Sequence, residues 1–466
     1  MFVSKQKPEL EHVSRNCWDV YASAADRKAL GACADSYMRF LSTCKTERET
    51  VEYILAAAKA AGFSEQLGAK SKAYARVQRG KTILLGRRGR KPLSEGFRLI
   101  GAHVDTPRID LKQHPLYEDT DLGLMKTHYY GGIRKYQWLA RELALHGVVV
   151  KKDGSVVTVV VGEDQGDPVL TITDLLPHLA QKQVEQKVGD AFEAEKLNAV
   201  VAHEPSNAGI AARAKDKDRV KRRVLELLHK RYGITESDLF SAELQLVPAG
   251  PARHVGLDGS MIGGYGHDDR CCVFAALTAL LSEKTPEHTQ MALFWDKEEI
   301  GSEGATGAQS LFFEYAVADL IEAWAPRARL PEVFARGMAI SADVNAAVDP
   351  DHLDVFEKRN AAYLGYGPCF NKFTGHRGKV GANDAHPEYV AYLRGILDKA
   401  GVPGQRAELG KVDLGGGGTV AKFLAVYGMD VIDMGPAVLS MHSPFEVLGK
   451  ADLYATVLAF RAFFRS

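Results

Sequence analysis

A chain of 466 residues with 59 Lys+Arg against 59 Asp+Glu carries no net charge, which excludes a basic nucleic-acid surface and a polybasic membrane patch. Its hydrophobic fraction of 46% and charged fraction of 25% are those of a soluble globular protein, and no apolar run reaches the length that spans a bilayer. The length exceeds one ordinary core and predicts two domains. The six cysteines form no CxxC pair, and Met1 to Lys7 holds no signal-peptide core, so reduced, mostly buried thiols in a cytoplasmic protein are expected.

Residues 1–45 show helical patterning and no chemistry of their own. Thr46-Glu-Arg-Glu49 is a capping box, and Val51, Ile54, Leu55 and Ala58 follow at helical spacing until Gly62. Lys81 to Gly86 and Phe97 to Gly101 read as strands, the second running into Ala102-His103-Val104-Asp105-Thr106-Pro107. There Asp105 can hold one ring nitrogen of His103 while the other faces a metal. A turn histidine beside an Asx-turn aspartate fits the same residues.

From about Arg108 the texture changes to short alternating runs, His146 to Lys151, Ser155 to Gly162 and Val169 to Thr173, which predict antiparallel strands. His178 follows in Leu175-Leu-Pro-His-Leu179. A polar tract then extends to about residue 232. Its basic run from Lys215 to Arg223 is a solvated helix face in a chain without net charge. The tract closes in an amphipathic helix carrying Val220, Val224, Leu225, Leu227 and Leu228, and Ala242 to Pro248 is the last strand of the region. These features predict an α/β domain over 1–109 and 251–466, interrupted by an inserted β-rich domain at 110–250.

The α/β texture resumes at Gly263-Gly-Tyr-Gly-His-Asp268-Asp269-Arg270, ahead of a buried helix from Val273 to Leu281. Asp268 and Asp269 stand at the helix start, where carboxylates also serve as caps. Cys271 and Cys272 beside them read as small core residues, with soft metal ligation as the alternative. Met291 to Trp295 is an apolar run that stops at charge, a buried strand ending in Glu298 and Glu299 and then Gly301 and Gly304. Ligands gather beyond the carboxyl ends of strands in open α/β sheets. Neighbouring buried carboxylates repel unless a cation compensates them; one could then ligate while the other acts as a base toward water. A solvated acidic turn is the other reading of this pair. Met338 to Asp343 is a further strand ending in a carboxylate, and Asn371 to Lys379 is a glycine-rich basic loop. Gly415 to Gly418, with Thr419, is expected to open a helix. It lacks the Lys-Ser/Thr of a phosphate loop, yet it can present backbone N–H groups to a substrate anion. Val431 to Gly435 precedes Leu439-Ser-Met-His442-Ser, and a helix from Ala451 to Phe464 follows.

His103, Asp268, Glu299, Asp343 and His442 each follow an apolar strand or precede a helix. Two imidazoles and three carboxylates suit two divalent ions that share one carboxylate, typically zinc, with manganese or cobalt possible. Five motifs carry these residues: Ala102-His103-Val-Asp105-Thr-Pro107, Asp268-Asp-Arg270, Asp296-Lys-Glu298-Glu299-Ile-Gly-Ser302, Ser341-Ala-Asp343 and Ser440-Met-His442-Ser443. In this order, and over nearly the whole chain, they resemble the dinuclear zinc aminopeptidases of the aspartyl aminopeptidase and vacuolar aminopeptidase I family.

The resemblance implies a metallo-exopeptidase α/β/α sandwich with an inserted β-rich dimerisation domain. It implies two zinc ions per subunit, with His103 and Asp343 completing one site, Glu299 and His442 the other, and Asp268 bridging them. Asp269, where many relatives have Asn, leaves open which aspartate bridges. Glu298 is then the general base toward a metal-activated water and Asp105 orients His103. His178 reaches into a neighbouring subunit's site. Lys372, in competition with Asn371 for the same aligned position, would meet an acidic N-terminal side chain. Other relatives prefer apolar residues such as Leu. Gly417 and Gly418 complete the expected substrate contacts. Peptide substrates and further copies of the chain, as dimers assembling to a dodecamer, are the implied partners; nucleic acid and membrane are not. Two rival readings stand beside this one: a two-metal carboxypeptidase or deacylase, and a catalytically silent oligomeric scaffold of the same fold.

Overall fold

The structure, a computed structural model, describes residues 10–207 and 217–466. Met1 to Lys7, read above for a leader, and Lys215, at the start of the basic run, lie outside the described residues. Six strands and two helices suffice to place the site. In chain order they are α1 (Glu47–Ala60), β1 (Phe97–His103), β2 (Arg108–Asp119), β3 (Leu122–Tyr130), α2 (His267–Leu281), β4 (Thr289–Trp295), β5 (Met338–Ser341) and β6 (Asp430–Gly435).

The main sheet has eight strands, and β4, β1, β5 and β6 lie side by side at its centre. All four are parallel, with Trp295 opposite His103, Ser341 opposite Gly101, and Ser341 opposite Asp433. Both faces are covered, so β1 and β4 are buried along their whole length. The period of two still sorts their side chains. Ile100, Ala102, Ala292 and Phe294 join one core with α2 and the last helix, Lys450–Phe464. Phe97, Leu99, Met291 and Leu293 join the opposite core with the helix Phe312–Trp324. The result is an α/β/α sandwich. Burying each of the larger side chains, Leu, Ile, Met or Phe, contributes roughly 1.5–3 kcal/mol, so this double-sided stack is a large source of stability. Gly101 allows one local economy of space. A Cβ there would stand 2.4 Å from the Trp295 ring, so the indole lies directly across β1.

After β1 the strands from Arg108 to Pro248 build a seven-stranded sheet of their own, in which β2 pairs β3 and the strand Ala242–Pro248. It closes on a separate core around Trp138, Leu145, Ile172 and Leu246. The helix Arg219–Tyr232 packs on it through Val220 and Val224. The capping box of α1 forms as expected: the Thr46 hydroxyl accepts from the Glu49 N–H, and Glu49 accepts from the Thr46 N–H. The free oxygen of Glu49 takes a hydrogen bond from His146 of the second sheet at 2.7 Å, so one helix cap also ties the two sheets together.

Two local expectations differ from the fold. Gly416 and Gly417 do not begin a helix but pair with Gly375 and His376 in a two-stranded ribbon, and the helix starts at Ala421. Gly416 has φ of +111°, which no helical turn can use. Asp268 and Asp269 also lie outside regular helix geometry, with ψ of 105° and 26°, and the bond between them is cis. Neither caps α2 through its side chain; both are buried. Among the described residues no helix is long and apolar enough to cross a membrane.

Candidate metal centre

Because β4, β1 and β5 run parallel and end in register, the residues just past their carboxyl ends meet at one edge of the sheet. His103 ends β1; Glu298 and Glu299 follow β4, and Asp343 follows β5. Asp268, at the start of α2, and His442, from the loop after the strand Ala437–Leu439, close the group from the side. Three ligand-like triads result among these residues, His103–Asp268–Asp343, Asp268–Glu299–His442 and His103–Glu298–Glu299, each with donor atoms within 4.8 Å of one another. Asp268 belongs to the first two. Its Oδ1 lies 3.1 Å from His103 Nε2 and its Oδ2 lies 3.2 Å from His442 Nε2. Asp269 instead turns back into the fold, where its Oδ2 accepts from the His103 N–H. With Cys271 and Cys272 it forms a separate buried grouping.

The surroundings fix which ring nitrogen faces inward. His103 Nδ1 donates to the Asp105 carbonyl at 3.0 Å, and His442 Nδ1 donates to the Gly132 carbonyl at 2.9 Å. Both Nε2 atoms are thereby presented to the carboxylates, the arrangement in which a neutral imidazole ligates. Asp105 is the hub of the group. Its two oxygens accept from the Glu298 and Glu299 N–H groups at 3.1 Å each, and the Tyr130 hydroxyl donates to it at 2.8 Å. Glu446 does similar work on the other side, accepting from the His442 N–H at 2.7 Å and the Asp268 N–H at 3.1 Å. His442 sits at φ of +64°, a conformation uncommon outside glycine, and the Glu446 bond holds it there.

The electrostatics of the cluster are those of crowded acids. Burial, then the charges of Asp343, Asp105 and Asp268 working against His103, pushes the Glu298 carboxyl up to about 8. Burial and Asp268 raise Glu299 well above its ordinary range. Burial alone would lower the His442 imidazole, but its bond to Asp268 and the charge of Glu299 lift it to about 11. Oδ1 of Asp268 and Oε1 of Glu299 are buried without any hydrogen-bond donor. Acceptor oxygens left bare between two imidazole Nε2 atoms fit divalent cations, and an N/O donor set of this kind fits zinc.

A cavity of about 410 Å³ opens beside the cluster. Glu298, Gly417, Gly418, Asn371 and Lys422 line it, with Val344, Leu409, Phe423 and Met441 as apolar wall. Lys372 does not line it. The side chain is exposed and pairs with Asp384 at 2.9 Å, beside a second pair from Lys379 to the same carboxylate. The strand Cys369–Asn371 alternates its sides, so Asn371 faces in and Lys372 faces out. His178 is likewise apart from the cluster, exposed on a short 3₁₀ turn, Pro177–Leu179. Tyr130, Gly132 and Glu446 were not legible as site residues. Tyr130 ends an ordinary alternating strand, and Gly132 acts through its backbone.

A family model described as aminopeptidase I zinc metalloprotease (M18) matches residues 40–464. The chain is 48% identical over 460 residues to a probable M18 family aminopeptidase 1 of Clostridium acetobutylicum, covering 96% of this chain and 97% of that one. The crystal structure of an M18 family aminopeptidase from Thermotoga maritima superposes with a TM-score of 0.91 at 44% identity, covering 97% and 99% of the two chains. The S. cerevisiae mApe1 dodecamer shares the fold at a TM-score of 0.76 and 22% identity, over 94% of this chain and 97% of that one.

Since the imidazoles of His103 and His442 and the carboxyl of Glu299 hold protons more firmly than usual, metal loading near neutral pH is expected to expel protons. Titration calorimetry of the metal-free protein with zinc in two buffers of different ionisation enthalpy should give different apparent enthalpies. Identical values would mean that the cluster is already deprotonated.

Proposed function

The chain belongs to the M18 family of aminopeptidase I zinc metalloproteases and is a metallo-aminopeptidase, and from this premise we propose how its residues divide the work. Two zinc ions are held per subunit, by His103 and Asp343 on one side and by Glu299 and His442 on the other, with Asp268 shared. The observation that carries this reading is the pair of Asp268 oxygens, each facing one inward-turned imidazole. Manganese or cobalt could occupy the same N/O set. Bound zinc supplies Lewis acidity and lowers the pKa of water toward neutrality.

The chain's own residues do the rest. Glu298 takes a proton from the attacking water and delivers it to the leaving amine; its raised carboxyl suits a group that must both accept and donate near neutral pH. Asp105 keeps the glutamate turn and His103 in place through the bonds described above. Backbone groups of Gly417 and Gly418 steady the peptide along the cavity wall. A silent scaffold would have no use for a complete ligand set beside an open cavity.

His178 is proposed to serve a neighbouring copy. It is flanked by Leu175, Leu176 and Leu179, which are 47%, 49% and 67% exposed, a cluster of apolar side chains that another subunit would cover. The second sheet would then be the self-association unit, building dimers and an assembly of the dodecameric kind described for the yeast protein. The free, mostly buried cysteines suit a reducing, cytoplasmic setting.

Specificity needs a different carrier from Lys372. Lys422 is the cavity-lining residue of the Lys/Arg type, so an acidic preference would rest on it. An apolar preference, for Leu, would rest on Leu409, Phe423 and Met441.

Glu298→Gln should retain zinc and lose turnover by about two to four orders of magnitude, the usual worth of a general base. Loss of the metal along with activity would make Glu298 a ligand, which its nearness to His103 and Glu299 allows. Mixing this variant with an inactive His178→Phe variant should regain activity in hybrid oligomers, and continued inactivity would remove the arrangement in trans. For specificity, kcat/KM for aspartyl, glutamyl and leucyl substrates is compared in the parent, Lys422→Met and Lys372→Met. A parent that favours the acidic substrates and loses that preference only in Lys422→Met supports the cation in the cavity. A leucyl preference untouched by both substitutions would eliminate it.

A further inference from the structure

Three consecutive residues at the end of β3 each touch a different member of the metal cluster. The Tyr130 hydroxyl donates to Asp105 Oδ2 at 2.8 Å. Gly131, at φ of +73°, lies so close to Glu299 that a Cβ would stand 3.3 Å from the glutamate's own Cβ. The Gly132 carbonyl accepts from His442 Nδ1 at 2.9 Å, and a Cβ on Gly132 would come within 3.3 Å of that nitrogen. Tyr130 ends a strand of the seven-stranded sheet and Gly131 and Gly132 follow it directly, while Asp105, Glu299 and His442 all follow strands outside that sheet.

We infer that the segment Tyr130-Gly131-Gly132 is a positioning element, through which the second sheet orients the general-base turn and one metal-binding histidine. This rests on the ligand assignment proposed above. Asp105 Oδ2 also accepts from the Glu299 N–H, and Oδ1 from the Glu298 N–H, so the angle of this carboxylate sets where the glutamate turn lies. Tyr130 provides a hydroxyl donor to that carboxylate from outside the turn. The ring is in turn clamped by the Arg108 guanidinium, 3.8 Å from its centroid, and Arg108 is anchored to Glu47 and Asp110. At Gly132 the carbonyl selects the His442 tautomer that leaves Nε2 for the metal. Glycine at 131 and 132 keeps Cβ atoms out of the space that Glu299 and His442 occupy.

Tyr130→Phe removes the donor and keeps the ring over Arg108. Gly132→Ala keeps the carbonyl and adds the Cβ against His442. The expected result for Tyr130→Phe is a fall in kcat of about 10–100-fold with KM nearly unchanged and both zinc ions retained, as a misaligned base would give. Gly132→Ala is expected to weaken one of the two zinc ions by about 10–100-fold in competition with a chromophoric chelator. Thermal unfolding of the metal-free proteins serves as the structural readout and should stay close to the parent in both. A parent that binds fewer than two zinc ions overturns the ligand assignment itself. A parent with two ions, whose variants match it in turnover and zinc affinity, overturns the positioning role. A drop in kcat matched by an equal rise in KM in Tyr130→Phe would do the same, because it would point to substrate binding.

Discussion

Five carboxyl groups, Asp105, Asp268, Glu298, Glu299 and Asp343, are drawn together at one edge of a buried sheet, and their mutual repulsion is the constraint around which the site is built. Removing each from water costs several kcal/mol unless positive charge or N–H donors replace the lost hydration. The protein answers in two ways. Asp105 and Glu446 are met by backbone N–H groups, which are permanent parts of the chain. Asp268, Glu299 and Asp343 face two imidazoles, and Oδ1 of Asp268 and Oε1 of Glu299 are left without a hydrogen-bond donor, a charge that a cation would balance. The same crowding that would destabilise an acidic cluster therefore gives it affinity for divalent metal. It also lifts Glu298 into the range where a carboxyl can shuttle protons.

The parallel sheet makes this convergence possible. Strands that run together end together, so loops from distant parts of the sequence emerge side by side. β1 lies between β4 and β5, and this alone brings His103 next to Glu298, Glu299 and Asp343. Asp268 and His442 stand beside a smaller five-stranded sheet in which Met261–Gly264 pairs with Glu446–Gly449: Asp268 at the start of α2, soon after the first of these strands, and His442 in the loop before the second. Glu446, in that pairing, ties the backbones of both ligands to one side chain.

Much of this was legible in the sequence for a simple reason. Apolar runs that stop abruptly at Asp, Glu or His are strand ends, and β1, β4 and β5 all announce themselves this way. The change of texture after Arg108 is visible because half-buried antiparallel strands alternate while doubly covered parallel ones do not. What stayed hidden depends on direction. Nothing in Asn371-Lys372 says which of the two faces inward, since a shift of one residue reverses every side chain in a strand. Lys372 therefore read as a pocket residue, though it points to solvent and Asp384. The glycine run at 415–418 read as a helix opening because backbone pairing with Gly375 leaves no mark in composition. Tyr130 and Glu446 were silent because their importance comes from the atoms they meet, and those are supplied by residues 25 and 178 positions away.

The arrangement of strands also bears on the order in which a nascent chain can become functional. β1 is synthesised early but has parallel neighbours only when β4 and β5 appear, nearly two hundred residues or more later. In between come the strands from Arg108 to Pro248, which pair only with one another, so that sheet needs no partner from later in the chain. The backbones of Asp268 and His442, which Glu446 holds, remain untethered until residue 446 has left the ribosome. The Asp268–Glu299–His442 grouping is thus completed only near the end of synthesis, whereas His103, Asp268 and Asp343 are all present once residue 343 has been made. High sequence separation between paired strands slows folding, so the edge of the main sheet where the acidic cluster gathers is among the later parts of the fold to be completed.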